Sequence, residues 1–266
     1  MTPIAITIAG SDSSGGAGIQ ADLKTFSALG VYGASVITAL TAQNTLGVTG
    51  IHDVPPDFVT AQIDAVFSDL AVGAVKIGML SHPNVIKAVA AGLQRYKQDK
   101  IVLDPVMVAA SGDRLLAPEA LAVLREVLIP RALVLTPNLP EAAALLEAPV
   151  AQNETEMHAQ GEKLLALGAR AVLIKGGHGK GAESVDLLIE PSAVTRLAAE
   201  RIATANTHGT GCTLSSAIAA GLAKGLDLAE AVRQAKAYVT AAIAASDTLS
   251  IGKGHGPVHH FHGLWK

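Results

Sequence analysis

The sequence predicts an α/β fold in which a mainly parallel sheet is covered by helices on both faces. Short apolar runs alternate along the chain with segments of helical periodicity. Half of the 266 residues are hydrophobic but only eight are aromatic, so the core must consist of aliphatic side chains, as in Val- and Ile-rich strands between Ala- and Leu-rich helices. A chain of this length fits one domain, which we place at residues 1–266.

Seven apolar runs, each bounded by polar or glycine-containing segments, are predicted as strands. They are residues 4–9, 34–40, 74–77, 101–103, 133–135, 171–175 and 185–189. The segment 182–202 resembles consecutive strands and predicts an antiparallel edge.

Three sets of apolar residues recur at helical spacing. They are Ile19, Leu23 and Phe26; Val59, Ile63, Val66, Phe67 and Leu70; and Leu228, Val232, Ala235, Val239 and Ile243. Prolines at 55, 56 and 83 stand where helices can start, and glycines at 30 and 168 where they can stop.

Composition and charge narrow the class of protein. The formal charge is −3 and no run of Lys or Arg occurs, so we expect no nucleic-acid partner. Cys212 is the single cysteine, which excludes an intramolecular disulfide. The N-terminal residues lack the features of a signal peptide, and no stretch approaches the ~18–20 apolar residues of a membrane span. We therefore expect a cytoplasmic protein without a membrane partner.

The segment 206–217 carries the strongest local signal. It opens an Ala-rich stretch that we predict to be a helix ending near Gly225. Gly209 and Gly211 leave room for an anion to approach the backbone, and the N–H groups of a helix N-terminus favour one. A Gly-Lys-Ser/Thr sequence is missing, which excludes a Walker A loop. The segment alone is equally compatible with an ordinary helix cap.

Cys212 falls in the first turn of that predicted helix, where the pKa of a thiol is expected to be lowered. Such a thiol can accept a proton from a substrate hydroxyl. A lone cysteine is more often a small buried hydrophobe, but its place beside an anion-binding loop favours the chemical role.

The glycine-rich loop 10–18 follows the first strand. Its residues 16–21 match the relaxed dinucleotide fingerprint G-x-G-x-x-A. That fingerprint also requires an acidic residue about 20 positions further on. Residues 35–43 contain none, and the next acid is Asp53, which disfavours a dinucleotide site.

Polar side chains follow successive predicted strands. Asp104 ends one strand, Asn138 and Glu141 follow the next, and Lys175 ends a third. Carboxylates at adjacent strand ends can hold Mg²⁺, and a lysine can neutralise phosphate oxygens. Each residue alone is compatible with a solvated charge or a helix cap, but together they predict one crevice at the carboxyl ends of the strands.

The tail 254–262 contains four histidines. Its spacing does not define a ligand set, and no carboxylate or thiol accompanies it closely, so we disfavour zinc. We expect this tail to pack near the site.

With these residues in place, nearly the whole chain resembles the hydroxymethylpyrimidine/phosphomethylpyrimidine kinases of the ribokinase-like superfamily. The resemblance rests on residues 9–25, 43–45, 76–80, 136–141, 175–178 (Lys175-Gly176-Gly177-His178) and the Gly-Thr-Gly-Cys segment 209–212. It implies a three-layer α/β/α fold, a homodimer, and ATP- and Mg²⁺-dependent phosphorylation of 4-amino-5-hydroxymethyl-2-methylpyrimidine and then of its monophosphate.

The resemblance also implies roles for individual residues. Gln43 would pair with the aminopyrimidine edge, since an amide offers both a donor and an acceptor. The implied substrate-binding residues are Gly10, Asp12, Ala17, Gln43, Met79 and Val106. The implied nucleotide-binding residues are Asn138, Lys175, Thr207, Gly209, Thr210, Gly211 and Lys236. The implied catalytic residues are Asp104, Lys175 and Cys212, and the implied magnesium ligands are Asp104 and Glu141.

Two positions depart from the wider pattern. The superfamily usually has Asp as the base at the end of the anion-hole motif, where this chain has Cys212, as in the pyrimidine kinase branch and some pyridoxal kinases. Thr41 stands where close relatives often have Val, so a ring contact is expected to differ. A pyridoxal kinase and a non-catalytic nucleotide or vitamin sensor are the two alternative functions.

Overall fold

The computed structural model describes residues 1–109, 112–113, 115–177, 179 and 181–265. His178, the last residue of one motif, lies outside the described residues.

A nine-stranded sheet forms the centre of this described part, in the order β3-β2-β1-β4-β5-β6-β7-β8-β9. The strands are β1 Ile4–Asp12, β2 Tyr32–Asn44, β3 Gly47–Asp53, β4 Ala74–Ile77, β5 Ile101–Leu103, β6 Val134–Leu135, β7 Val172–Ile174, β8 Glu183–Glu190 and β9 Ala193–Glu200. The six central strands, β2, β1, β4, β5, β6 and β7, pair in parallel. At one edge β3 pairs antiparallel with β2, and at the other β8 and β9 pair antiparallel with their neighbours.

The structure confirms the seven predicted strands and the antiparallel edge within 182–202. It adds β3, which was not predicted because five of its seven residues are exposed and no apolar periodicity marks it. The predicted strand 34–40, which left Gln43 and Asn44 beyond its end, was too short, because β2 continues to Asn44 and pairs with β3 there.

Eight α-helices of the described residues cover both faces of the sheet. They are α1 Gly18–Ala28, α2 Pro56–Phe67, α3 Pro83–Arg95, α4 Pro118–Val123, α5 Leu139–Leu146, α6 Glu154–Leu165, α7 Thr210–Ala223 and α8 Leu228–Ala244. A π-helical turn at Leu124–Leu128 and short 3₁₀ turns at Ile129–Arg131 and Ser246–Thr248 accompany them. None of the helices in the described ranges has the length and apolar character needed to cross a membrane.

Two apolar clusters separate the three layers. One lies between the sheet and helices α2 to α6 and includes the buried residues Ile63, Ile86 and Leu145. The other lies between the opposite face and α1, α7 and α8, and includes Phe26 and Ile218. The sheet is therefore buried on both faces, which explains why its parallel strands are continuous apolar runs.

One charged pair interrupts this apolar interior. The Lys76 ammonium on β4 lies 2.9 and 2.8 Å from the two carboxylate oxygens of Asp22 on α1, and both side chains are fully buried. The hydroxyls of Thr7 on β1 and Ser216 on α7 donate to the same carboxylate at 2.6 Å each. Four elements thus meet at one fully hydrogen-bonded carboxylate, as a buried charge requires.

Asp22→Ala should lower the free energy of unfolding by about 3–5 kcal/mol, because it leaves the Lys76 ammonium buried and unpaired. Urea unfolding followed by circular dichroism measures this. Asp64→Ala, which breaks the half-exposed Arg95–Asp64 pair, is the matched control and should cost at most about 1 kcal/mol. Equal urea midpoints for the two variants would show that the buried pair does not stabilise the fold. Replacing both partners, as in Asp22→Leu with Lys76→Met, should recover part of the loss.

Candidate active site

A cavity of about 740 Å³ opens where β1, β2 and β4 to β7 end. Each site residue implied by the resemblance lines it. These are Gly10, Asp12, Ala17, Gln43, Met79, Asp104, Val106, Asn138, Glu141, Lys175, Thr207, Gly209, Thr210, Gly211, Cys212 and Lys236. The structure therefore gathers residues from the whole length of the chain into one crevice at the carboxyl ends of the strands, where open α/β sheets bind ligands.

Asp104 and Lys175 form the charged centre of this cavity. The Lys175 ammonium donates to Asp104 Oδ1 at 2.7 Å, and the hydroxyls of Thr136 and Ser215 lie 3.1 and 3.3 Å from the same carboxylate. Burial disfavours the charge of Asp104, but Lys175 and Lys76 outweigh it and hold the pKa of Asp104 below its ordinary value. Asp104 is therefore an ionised carboxylate at neutral pH.

Glu141 lies next to this pair and has a different protonation equilibrium. It forms a capping box with Asn138, in which the Asn138 N–H donates to Glu141 Oε2 at 2.7 Å and the Glu141 N–H donates to Asn138 Oδ1 at 2.9 Å. Glu141 Oε2 lies 3.8 Å from the Lys175 ammonium. Burial, with a smaller repulsion from Asp104, raises the pKa of Glu141 to about 7 despite Lys175.

The two carboxylates suit a magnesium ion. Mg²⁺ is usually bound by one or two carboxylates together with substrate phosphates, and Asp104 and Glu141 both lie within ion-pairing distance of one lysine. Burial is the main reason that the pKa of Glu141 is raised, and a divalent cation at this place would favour its ionised form. Within the described ranges no three His, Cys, Asp or Glu side chains cluster as a closed metal site.

Helix α7 presents its N-terminus to the same cavity. Its N-cap residue Gly209 has φ of +80°, and a Cβ there would collide with the Gly16 carbonyl oxygen, so the position requires glycine. Among the described residues no side chain caps this helix. The first N–H groups of a helix have no partner within it, and Gly211 and Cys212 line the cavity. These groups are placed to bind an anion.

The protonation state of Cys212 differs from the sequence-based expectation. Burial raises the pKa of its thiol to about 11, with contributions from Asp22 and Asp104, although Lys76 and a hydrogen bond from the Gly18 N–H oppose the shift. The prediction of a lowered pKa was wrong, because it considered the helix terminus and not the surrounding enclosure and carboxylates. Cys212 is therefore a thiol near neutral pH.

Asp12 organises the loop between β1 and α1. Its buried carboxylate accepts hydrogen bonds from the backbone N–H groups of Ser14, Gly16 and Ala17 at 2.8–3.1 Å, and its Oδ2 lies 2.8 Å from His208 Nε2. Burial opposes ionisation, but these bonds, foremost that of His208, hold the pKa of Asp12 well below its usual range. Asp12 and Ala17 line the cavity, and the Asp12–His208 bond ties the loop to the segment beside Gly209 that precedes α7.

Gln43 reaches the cavity from the end of β2. The hydroxyl of Ser13 donates to the Gln43 carbonyl oxygen and accepts from the Gln43 N–H, both at 2.9 Å. The pairing of β2 with β3 shifts register between Ala42 and Gln43, and such bulges redirect a side chain. Gly10 and Met79 pack against each other on the cavity wall, since a Cβ on Gly10 would lie 2.9 Å from the Met79 sulfur.

Lys236 lines the cavity but is already paired. Its ammonium lies 2.8 Å from Asp186 Oδ2 and 3.2 Å from the Ser184 carbonyl oxygen. Both partners belong to β8. If Lys236 contacts a phosphate, its ammonium must therefore bind Asp186 at the same time. This ion pair was not predicted from the sequence.

Several cavity residues were missed as site residues by sequence reasoning. Lys76 is fully buried yet borders the cavity; a lysine inside the apolar strand 74–77 was the available signal, because such a charge needs a buried partner. His208 lies in the segment 206–217, but the sequence did not predict its hydrogen bond to Asp12.

The expectation that the histidine-rich tail packs near the site is confirmed. His208 forms a bridge with Pro257, and His260 Nε2 lies 3.1 Å from the hydroxyl of Thr213 on α7. Burial, with Lys24, His259 and His208, lowers the pKa of His260 to about 3, so this histidine is neutral.

Comparison with known proteins identifies the family. Residues 12–259 match the family model described as phosphomethylpyrimidine kinase. The chain is 63% identical to the hydroxymethylpyrimidine/phosphomethylpyrimidine kinase of Rhizobium meliloti, over 100% of both chains. It is 48% identical to the solved phosphomethylpyrimidine kinase of Clostridium difficile, with a TM-score of 0.80 over 90% of this chain and 99% of that one.

The fold is shared with a second group of kinases. The pyridoxal kinase of Staphylococcus aureus, solved with AMP-PCP and pyridoxal, has a TM-score of 0.91 and 32% identity, covering 99% of this chain and 95% of that one. The nine-stranded sheet with helices on both faces is thus the ribokinase-like α/β fold. By its sequence, its fold and the residues around its cavity, the chain belongs to the phosphomethylpyrimidine kinase family.

Proposed function

We propose that this chain transfers the γ-phosphoryl group of ATP to the hydroxymethyl oxygen of 4-amino-5-hydroxymethyl-2-methylpyrimidine, and then a second phosphoryl group to the resulting monophosphate, in thiamine biosynthesis. The observation that carries the proposal is the convergence in one cavity of Gln43, the Asp104–Lys175–Glu141 cluster and the start of α7. ATP consumption that depends on the pyrimidine alcohol tests it, and a sensor would consume none.

ATP is the phosphoryl donor that the comparisons support, since the related pyridoxal kinase was solved with ADP and with AMP-PCP. The phosphates would lie between Lys175 and the N-terminus of α7. Phosphoryl transfer requires positioning and charge neutralisation rather than covalent catalysis. The Lys175 ammonium and the first N–H groups of α7 supply both.

Asp104 and Glu141 would hold Mg²⁺. When bound, Mg²⁺ supplies charge neutralisation at the phosphate oxygens. Asp104 keeps Lys175 protonated. Burial alone would lower the pKa of Lys175, but the attraction of Asp104 and Glu141 outweighs burial, so that the pKa is raised above its ordinary value.

Cys212 would stand at the substrate hydroxyl. Its pKa of about 11 means that the resting group is a thiol, which can hydrogen-bond the hydroxymethyl oxygen and orient it. To act as the base, Cys212 would first lose its thiol proton to solvent, and the positive charge of Lys76 favours the thiolate. The thiolate would then accept the hydroxyl proton as the hydroxymethyl oxygen bonds to the γ-phosphorus and the bond to ADP breaks.

Pyridoxal is the alternative acceptor alcohol, because the solved pyridoxal kinases share the fold. The pyrimidine is favoured because the identity to the curated pyrimidine kinases reaches 63%, against 32–38% for these pyridoxal kinases. Kinetics with the two alcohols in competition separate them.

Cys212→Ala should reduce turnover of the alcohol by about 100- to 10,000-fold, the usual contribution of a general base. The monophosphate should suffer less, because its acceptor oxygen is already ionised near neutral pH. Phosphorus NMR, started separately from alcohol and monophosphate, follows both steps. Equal losses in the two steps would contradict the base role, and a wild-type enzyme that stops at the monophosphate with excess ATP would contradict the two-step proposal.

Glu141→Gln should raise the Mg²⁺ concentration for half-maximal activity by at least about tenfold, because it removes one charged ligand. Glutamine can still accept the capping bond of α5, so the helix should persist. A magnesium titration at fixed ATP measures the effect. Glu156→Gln is the matched control, since Glu156 accepts a similar bond from Gln152 near the start of α6 on an exposed surface. Identical activation curves for Glu141→Gln and wild type would exclude Glu141 as a ligand.

We also propose that the chain acts in the cytoplasm as a homodimer. The support for the dimer is a set of exposed apolar side chains around the β2–β3 edge and the start of α2. They are Leu40, Leu46, Ile51 and Phe58, which are 42–67% exposed. An apolar edge of this kind typically marks an interface.

Sedimentation velocity should give the mass of two chains for the wild-type protein. The double variant Ile51→Lys with Phe58→Lys should give the mass of one chain, because it places charges on the apolar edge. A wild-type monomer at micromolar concentration would contradict the proposal.

A further inference from the structure

The hydroxyl of Thr41 lies between two hydrogen-bond acceptors at the cavity wall. Its Oγ1 is 2.9 Å from the Ser11 carbonyl oxygen and 3.0 Å from Gln43 Oε1. The Thr41 side chain is nearly buried, with 8% of its surface exposed. A hydroxyl has a single proton, so with this orientation of the Gln43 amide the two acceptors compete for one donor.

The two orientations of the Gln43 amide therefore differ in the number of hydrogen bonds that can form. If the amide turns by 180°, its nitrogen lies beside Thr41. The hydroxyl can then donate to Ser11 while its oxygen accepts from the amide N–H, and each group has a partner. The Gln43 backbone is fixed independently by Ser13. Thr41 makes the hydrogen bond to the Gln43 amide, and it is therefore placed to favour one arrangement of the donor and acceptor ends of that amide.

That exchange matters for recognition of a pyrimidine. A 4-amino ring presents an N–H donor beside a ring-nitrogen acceptor, whereas the 4-oxo ring presents an oxygen acceptor beside an N–H donor. An amide of fixed orientation pairs with only one of these two orders. An amide that flips freely pairs with both.

We propose that Thr41 is a positioning residue that determines specificity: its hydroxyl holds the Gln43 amide in one orientation, so that the cavity selects the 4-amino ring over the 4-oxo ring. The inference rests on the proposed function, in which Gln43 reads the ring. It assigns to Thr41 a role in recognition that does not require contact with the reacting atoms.

The test compares kcat/KM for the 4-amino alcohol and its 4-oxo analogue. Thr41→Val should lower the amino-over-oxo preference about 3- to 10-fold, the equivalent of one net hydrogen bond, mainly through KM. Thr41→Ser keeps the hydroxyl and should restore the preference. The matched control is Thr49→Val. Thr49 lies on the exposed strand β3, and its hydroxyl donates to the Ala42 carbonyl oxygen and not to Gln43. Where the analogue turns over too slowly, its inhibition constant against the amino alcohol gives the same ratio.

Variants at Gln43 separate this inference from the proposed function. Gln43→Leu should lower kcat/KM for the amino alcohol, and adding Thr41→Val to it should change nothing further. If Gln43→Leu is as active as wild type, the role of Gln43 is overturned. If Gln43→Leu is impaired but Thr41→Val keeps the wild-type preference, the role of Thr41 alone is overturned. Val suits a strand, and Thr41→Ala provides the same comparison if the Val variant has a lowered melting temperature.

Discussion

The buried ion pair of Lys76 and Asp22 determines both the frame and the electrostatics of the site. Two charges without access to solvent are tolerated only when their geometry and remaining hydrogen bonds are complete. Thr7 and Ser216 complete them here, and this requirement fixes α1 and α7 against strands β1 and β4. The position of α7 in turn decides where its N-terminus points. The same Lys76 charge lowers the pKa of Asp104 and partly offsets the raised pKa of the Cys212 thiol.

The charges around the cavity nearly cancel before any ligand binds. Lys76 and Lys175 face Asp22 and Asp104 as ion pairs, while Cys212 is a neutral thiol and Glu141 titrates near pH 7. Triphosphate brings several negative charges, which the first N–H groups of α7 and an already paired Lys175 offset only in part. This balance explains why a carboxylate pair suited to a divalent cation stands beside Lys175.

The central strands could be predicted from the sequence, but the edge strand β3 could not. Strands buried on both faces are continuous apolar runs, whereas exposed β3 carries no such pattern. The predicted strand 34–40 therefore ended before Gln43, which lies in the part of β2 that pairs with β3. The site residues came largely from motif resemblance, and the structure brings all of them to one cavity. The pairing of Lys236 with Asp186 escaped prediction because it joins α8 to β8, 50 residues apart. The thiol pKa was mispredicted since a local rule cannot account for enclosure by distant segments.

The loop that follows β1 and the loop that precedes α7 behave as one unit. Asp12 bonds both its own loop and His208, and Gly209 packs so closely on Gly16 that no side chain fits between them. The loop after β1 and the loop before α7, which we propose to bind the acceptor and the phosphates, therefore cannot move apart without breaking the hydrogen bonds of the buried Asp12 carboxylate. Such preorganisation favours reactions that depend on positioning. In the two transfers proposed for this site, the acceptor would therefore have to adjust its position to the fixed groups at the start of α7.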